Sequence, residues 1–104
     1  MPQFGSPFSE LANSRKLTNK ELVRAIRFMV AAEYEATQMY VQLAESTGNK
    51  LAVAVLKDIA DEERVHAGEF LKLLYALAPD EEALYAKGAG EVETIIKSKH
   101  QKKK

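Results

Sequence analysis

An all-α fold, an antiparallel two-helix hairpin followed by a short C-terminal helix, is predicted by three features of this 104-residue chain. Apolar residues recur at spacings of four and three along two long stretches, the period of a packed helix face. A Ser46-Thr47-Gly48-Asn49 cluster separates the stretches, and Pro79 closes the second. The length suits one small domain.

Residues 1–17 mix Pro2, Gly5, Ser6, Pro7 and Ser14 with scattered Phe and Leu, and they read as a flexible N-terminal arm. Thr18 and Glu21 then stand at the spacing of a capping box, so a helix starts at Asn19. It runs to about Glu45, where Gly48 is placed to take the left-handed position that ends many helices. Asn49 caps the second helix, which continues to about Leu77. Each helix is roughly 42 Å long at about 1.5 Å per residue. A connection this short makes them antiparallel neighbours. Asp80 can cap a third helix from Glu81, which Gly88 and Gly90 interrupt before a further helical stretch from Glu91. The helical domain spans residues 18–98. Residues 99–104 read as a disordered basic tail, part of a Lys97–Lys104 run with five lysines and no acid. Such a run is either a solvated end or a contact for an acidic partner surface.

Fifteen basic residues balance fifteen acidic ones, which gives no electrostatic footprint for nucleic acid. With 46% hydrophobic and 29% charged residues, the composition is that of a globular protein. Zero cysteines exclude disulfides, a rubredoxin-type centre and iron–sulfur clusters, so any metal must rest on oxygen and nitrogen. No apolar run approaches the roughly 20 residues of a membrane span, and MPQFGSPFSE lacks the pattern of a signal peptide. These features predict a cytoplasmic protein.

The inward seam predicted for the first helix is Leu22, Ile26, Met29, Glu33, Ala36, Tyr40 and Leu43. Its one charge is Glu33. The corresponding line on the second helix is Ala52, Leu56, Ile59, Glu63, His66, Phe70, Leu73 and Leu77, and it carries Glu63 and His66. Burying a carboxylate costs several kcal/mol unless it is paired, protonated or coordinated. Glu33 lies 15 residues before Gly48 and Glu63 lies 15 after it, so the hairpin brings the two level. Glu63 and His66, three apart, share one helix face with their heads in the volume that Glu33 enters. A carboxylate-rich set with one imidazole suits Fe(II) or Mn(II). Each residue also has a plain structural reading: Glu33 as an acid bonded to Tyr40, His66 as a satisfied core histidine, Tyr40 as a core phenol. Glu-x-x-His by itself is a weak signal; the coincidence of three polar residues at one height favours metal. One hairpin then supplies half the ligands of a dinuclear carboxylate site, which takes four carboxylates and two histidines from four helices. A two-helix hairpin also cannot enclose its own seam, so dimerisation into a four-helix bundle is expected on both grounds.

Residues EYEATQMY (33–40) and DEERVHAGEF (61–70) resemble the encapsulated ferritins, truncated ferritin-like proteins in which one hairpin dimerises to rebuild a four-helix site. The resemblance covers about residues 18 to 98. It implies a ferroxidase oxidising Fe(II) to Fe(III) with dioxygen or peroxide, at a di-iron site with one pair of irons per dimer. Glu33, Glu63 and His66 would be the iron ligands, with Tyr40 close to the metals. Glu35 matches an acid that forms a metal-uptake site in that family; its position two residues from Glu33 equally suits a solvated charge. The resemblance further implies a homodimer that assembles into a larger homo-oligomer, a ring of dimers, and iron storage in the cytoplasm inside an encapsulin nanocompartment whose shell protein is the partner. Three departures stand out: Ala32 replaces a second uptake acid, Met39 replaces an aromatic residue, and ETIIKSKHQKKK lacks the Gly-, Ser- and Leu-rich pattern of a shell-docking segment. A non-catalytic helical dimer or adaptor, with polar residues setting register, is the alternative reading. A rubrerythrin-like peroxide-reducing di-iron protein is another, disfavoured because no cysteine centre is present to relay electrons.

Overall fold

The computed structural model describes residues 14–102. Three helices follow in order: α1 (Asn19–Glu45), α2 (Lys50–Leu77) and α3 (Pro79–Lys102). No strand occurs among the described residues. Most of the predicted N-terminal arm, residues 1–13, lies outside them, as do Lys103 and Lys104.

Helix α1 begins with the predicted capping box. Thr18 Oγ1 accepts from the Glu21 amide at 3.2 Å, and the Thr18 amide donates to Glu21 Oε1 at 2.9 Å. Arg15 grips the same carboxylate through both guanidinium nitrogens at 2.8 and 2.7 Å. That guanidinium, with the Thr18 amide, lowers the Glu21 carboxyl to about 2. The acid therefore stays charged at the positive end of the helix dipole.

The α1–α2 turn forms without the expected left-handed Gly48, since no described residue has a positive φ. Side chains close it instead. The Ser46 amide donates to Leu43 O at 3.0 Å and its hydroxyl to Gln42 O at 2.7 Å, while Thr47 Oγ1 accepts from the Asn49 amide at 3.2 Å. Asn49 Oδ1 then accepts from the Ala52 amide at 2.9 Å and starts α2.

Helix α3 also departs from expectation. It starts at Pro79 rather than Glu81, with Ala78 O accepting from the Glu81 amide at 2.9 Å in place of an Asp80 cap. Proline suits the first helical position because it lacks an amide that would go unpaired there. The helix then runs through Gly88 and Gly90 without interruption and carries into the predicted tail as far as Lys102. Each glycine costs a helix only about 1 kcal/mol relative to alanine. Ala86, Lys87, Ala89 and Glu91 around them are strong helix formers, and three acids in the first turn complement the dipole.

The hairpin is zipped by a line displaced one residue from the predicted seam. Val23, Ile26, Val30 and Ala44 on α1 and Ala60, Ala67 and Leu74 on α2 are buried between the helices. Small residues let the backbones approach. Val23, Ile26 and Leu74 gather Phe70, Leu71, Leu77 and Ala78 into a core at the α2–α3 corner. Leu22, Met29, Leu43 and Leu73, all predicted inward, are exposed. Two apolar stripes therefore run side by side. One is buried within the hairpin and the other lies open on its flank.

A polar clasp fixes the root of α3. Glu81, buried to 9% exposure, receives hydrogen bonds from Arg27 on α1 and from the Tyr85 hydroxyl. Tyr85 packs edge-on against Tyr75 of α2, with ring centroids 5.8 Å apart. Beyond the clasp, residues 82–100 are all exposed. Arg27 and then Tyr85 hold the Glu81 carboxyl below its ordinary value, and the same bond from Tyr85 raises the phenol above its own. The two groups have opposite pH signs. A carboxyl lowered in the folded state contributes stability above its unfolded pKa, and that contribution is lost as pH falls through the lowered value. A raised phenol contributes below about pH 10, and its contribution is lost as pH rises through the raised value. The near-ultraviolet circular dichroism of Tyr75 and Tyr85 should therefore hold constant across neutral pH and collapse at both extremes. In Glu81→Gln the acid-side transition should vanish.

Candidate metal centre

Glu33 sits midway along α1 and Glu63 and His66 midway along α2, where the buried line passes into the open stripe. One ligand atom from each lies within 4.8 Å of the others. His66 Nδ1 is 3.8 Å from Glu33 Oε2 and 3.9 Å from Glu63 Oε2, too far for hydrogen bonds. Those separations are close to twice a metal–ligand bond of about 2.1 Å. The side chains of Glu33 and Glu63 are only 16% and 19% exposed, whereas His66 is 48% exposed toward the open flank.

Glu33 Oε2 carries the chemical information. It is buried without a hydrogen-bond partner. A carboxylate oxygen left so loses its hydration and gains nothing in return, a cost of about 1–3 kcal/mol or more that natural cores avoid. Since that oxygen makes no bond to Tyr40, the reading of Glu33 as an acid satisfied by the phenol gains no support from it. Two carboxylates and an imidazole that meet with one carboxylate oxygen left orphaned fit a divalent cation, and the hard oxygen-rich set fits iron or manganese best.

Tyr40 lies seven residues beyond Glu33, half-buried, with its backbone roughly 10 Å further along the helix axis. Glu35 is exposed and outside the trio. A cavity of about 470 Å³ opens beside the trio, lined by Glu33, His66, Glu69, Phe70 and Leu73. Glu69 was missed at the sequence level, although Glu63-x-x-His66-x-x-Glu69 continues the same helical spacing.

The Rubrerythrin family model matches residues 8–103. This chain belongs to that ferritin-like family. The chain is 42% identical over 98 residues to the encapsulin nanocompartment cargo protein EncC of Myxococcus xanthus, covering 94% of this chain and 73% of that protein. It is 33% identical over 78 residues to the ferritin-like-encapsulin shell fusion protein of Pyrococcus furiosus, covering 75% of this chain but only 23% of the fusion. The encapsulated ferritin domain from Pyrococcus furiosus superposes with a TM-score of 0.77 at 30% identity, over 83% of this chain and 88% of that domain. The resemblance drawn from EYEATQMY and DEERVHAGEF thus holds, as does the all-helical ferritin-like fold. In this rubrerythrin-family chain, acidic residues and a histidine meet between antiparallel helices. Among the described residues no helix is long and apolar enough to cross a membrane.

Proposed function

We propose that two copies of this chain close their open stripes on each other and form a ferroxidase, with Glu33, Glu63 and His66 of each copy holding a pair of Fe(II) ions between them. The orphaned Glu33 Oε2, buried within 3.8 Å of His66, is the observation that carries the reading. Leu22, Met29, Leu43 and Leu73 support it, because they leave an apolar margin open beside the half-site. Exposed apolar stripes of this kind mark interaction faces.

Iron is the substrate. Two Fe(II) ions give up two electrons, which dioxygen accepts with two protons to leave as hydrogen peroxide, or which peroxide accepts with two protons to leave as water. Four carboxylates offset the four positive charges of the incoming pair, and hard oxygen donors favour Fe(III) over Fe(II). The oxidised product is held by the same few side chains and can pass on to storage. The likeness to an encapsulin cargo protein and to a shell fusion supports a place inside an encapsulin nanocompartment, and assembly beyond the dimer, as a ring of dimers, belongs to the same proposal. The match to the Rubrerythrin family favours peroxide as an alternative oxidant, although zero cysteines leave no thiolate iron centre to relay electrons.

Stopped-flow oxidation of Fe(II) tests the assignment of roles. Glu63→Ala and His66→Ala each remove two ligands from the symmetric site and should slow oxidation by more than about 100-fold, since even outer-shell partners of metal ligands cost 10–100-fold. Glu35→Ala should change the rate by a few-fold at most and leave the iron capacity intact. Wild-type rates in His66→Ala would end the proposal.

A further inference from the structure

We propose that the apolar face of α3 pairs antiparallel with α3 of a second copy of this chain, with Leu84 against the partner's Ile96 and Gly88 against the partner's Val92. Beyond Tyr85 the helix is exposed as far as residue 100, and Leu84, Val92, Ile95 and Ile96 stand 46–60% open. Leu84, Gly88, Val92 and Ile95 recur at spacings of four, four and three, so they form one line with Tyr85 and Ile96 beside it. A helix gains most of its stability by packing such a line. The bonds from Arg27 and Tyr85 to Glu81, with Tyr85 set against Tyr75, fix the angle at which the line leaves the hairpin.

Charge decides what covers it. Residues 80–93 carry five acids and one lysine, whereas residues 94–104 carry five lysines and no acid. The helix is therefore its own electrostatic complement, head to tail only. Antiparallel pairing sets Asp80, Glu81 and Glu82 opposite Lys97, Lys99 and Lys102, and parallel pairing would set like charge against like. The apolar line selects the same alignment. Centred on Gly90, it places Leu84 on Ile96, Tyr85 on Ile95, and the notch at Gly88 under the branched side chain of Val92. A Cβ at Gly88 would meet nothing within 4 Å in its own chain, so the notch serves no packing there. One helix face is smaller than the roughly 1,200 Å² that stable complexes bury, so two lone chains pair weakly. The pairing uses a different element from the open stripe and does not depend on the metal-site reading. Together with that reading it supplies the second two-fold contact that joins dimers into a ring.

The chain has no cysteine, so introduced thiols report the pairing without background. Leu84→Cys and Ile96→Cys chains, mixed in chelator with oxidised glutathione, should form the mixed disulfide at least about tenfold faster than either variant alone forms its own, because pairing raises the effective thiol concentration. In the antiparallel register two copies of position 84 stand as far apart as Leu84 and Ile96 of one helix, about 18 Å, well beyond the roughly 7 Å limit for a disulfide. Raising salt toward about 1 M should narrow the difference. Gly88→Leu in both chains favours helix while filling the notch, and it should remove the difference. His66→Ala should leave it unchanged, so failure of the metal site and failure of the pairing are separate results. Self-disulfides faster than the mixed one would show parallel pairing and overturn the proposal. Equal slow rates in all three samples would overturn it as well and leave the face to another cover, such as residues 1–13. A mixed disulfide that stays fast with Gly88→Leu would overturn the register.

Discussion

Replacing Glu33 with leucine is expected to stabilise the metal-free protein while abolishing its response to Fe(II). Glu33 holds a carboxylate oxygen in the interior with no hydrogen-bond partner. Without metal the carboxylate is a burial liability, and leucine at the junction of two apolar stripes removes it. A buried oxygen left without a hydrogen bond costs about 1–3 kcal/mol, and leucine removes that cost. For a chain of this length each kcal/mol moves Tm by roughly 4–8 °C. Melts in chelator should therefore place Glu33→Leu several degrees above the parent. Anaerobic Fe(II) should raise the Tm of the parent and leave the mutant unmoved, because under the proposed function ligation compensates the buried acid.

The opposite pattern identifies a structural polar core. If Glu33 sets helix register in a non-catalytic dimer, Glu33→Leu should loosen or rearrange the assembly in chelator, and Fe(II) should shift neither protein. A destabilised apo mutant beside a metal-indifferent parent would end the ferroxidase proposal. The sign of the apo shift and the metal response are independent readouts, so both must agree for the proposal to stand.

The trio was legible in the sequence because Glu33, Glu63 and His66 interrupt apolar helix-period lines, and the equal distances of Glu33 and Glu63 from Gly48 bring them level across the hairpin. The displacement of the buried line was not legible. Leu22 and Val23, Met29 and Val30, and Leu43 and Ala44 are adjacent apolar pairs, and a periodicity cannot tell which member faces its own hairpin and which faces outward. The capping box was readable because its partners lie three residues apart. The clasp was not, since Arg27 and Glu81 are separated by 54 positions and meet only when α3 folds back at Ala78. Gly88 and Gly90 misled for a different reason. Local propensity registers the glycines and weighs too lightly the strong formers around them, so the predicted break became continuous helix.

Metal should also strengthen self-association, by at least about 100-fold in the monomer–dimer dissociation constant when free Fe(II) stands at 100 times its Kd. Each chain brings two carboxylates and one imidazole together, which under the proposal is half of a dinuclear carboxylate site. A monomer can hold one ion weakly at best, because the flank beside His66 is open to water. In the proposed dimer only the closed pair encloses the full set, so metal should bind the dimer in preference to its parts and draw the equilibrium toward it. Linkage then requires the reverse, and dilution below the dimer constant should weaken Fe(II) binding. Anaerobic sedimentation equilibrium with chelator and with Fe(II) measures the first effect, and titration at two protein concentrations measures the second. Saturation should come at about two irons per dimer. Met29→Glu offers an orthogonal check, since it places a charge in the open stripe four residues from Glu33 without touching a ligand. It should block dimerisation in chelator and depress Fe(II) affinity together, with the isolated chain still helical. Tight binding of an iron pair by a chain that sediments as a monomer would show that the site is complete without a second copy, and the shared-site geometry would be wrong.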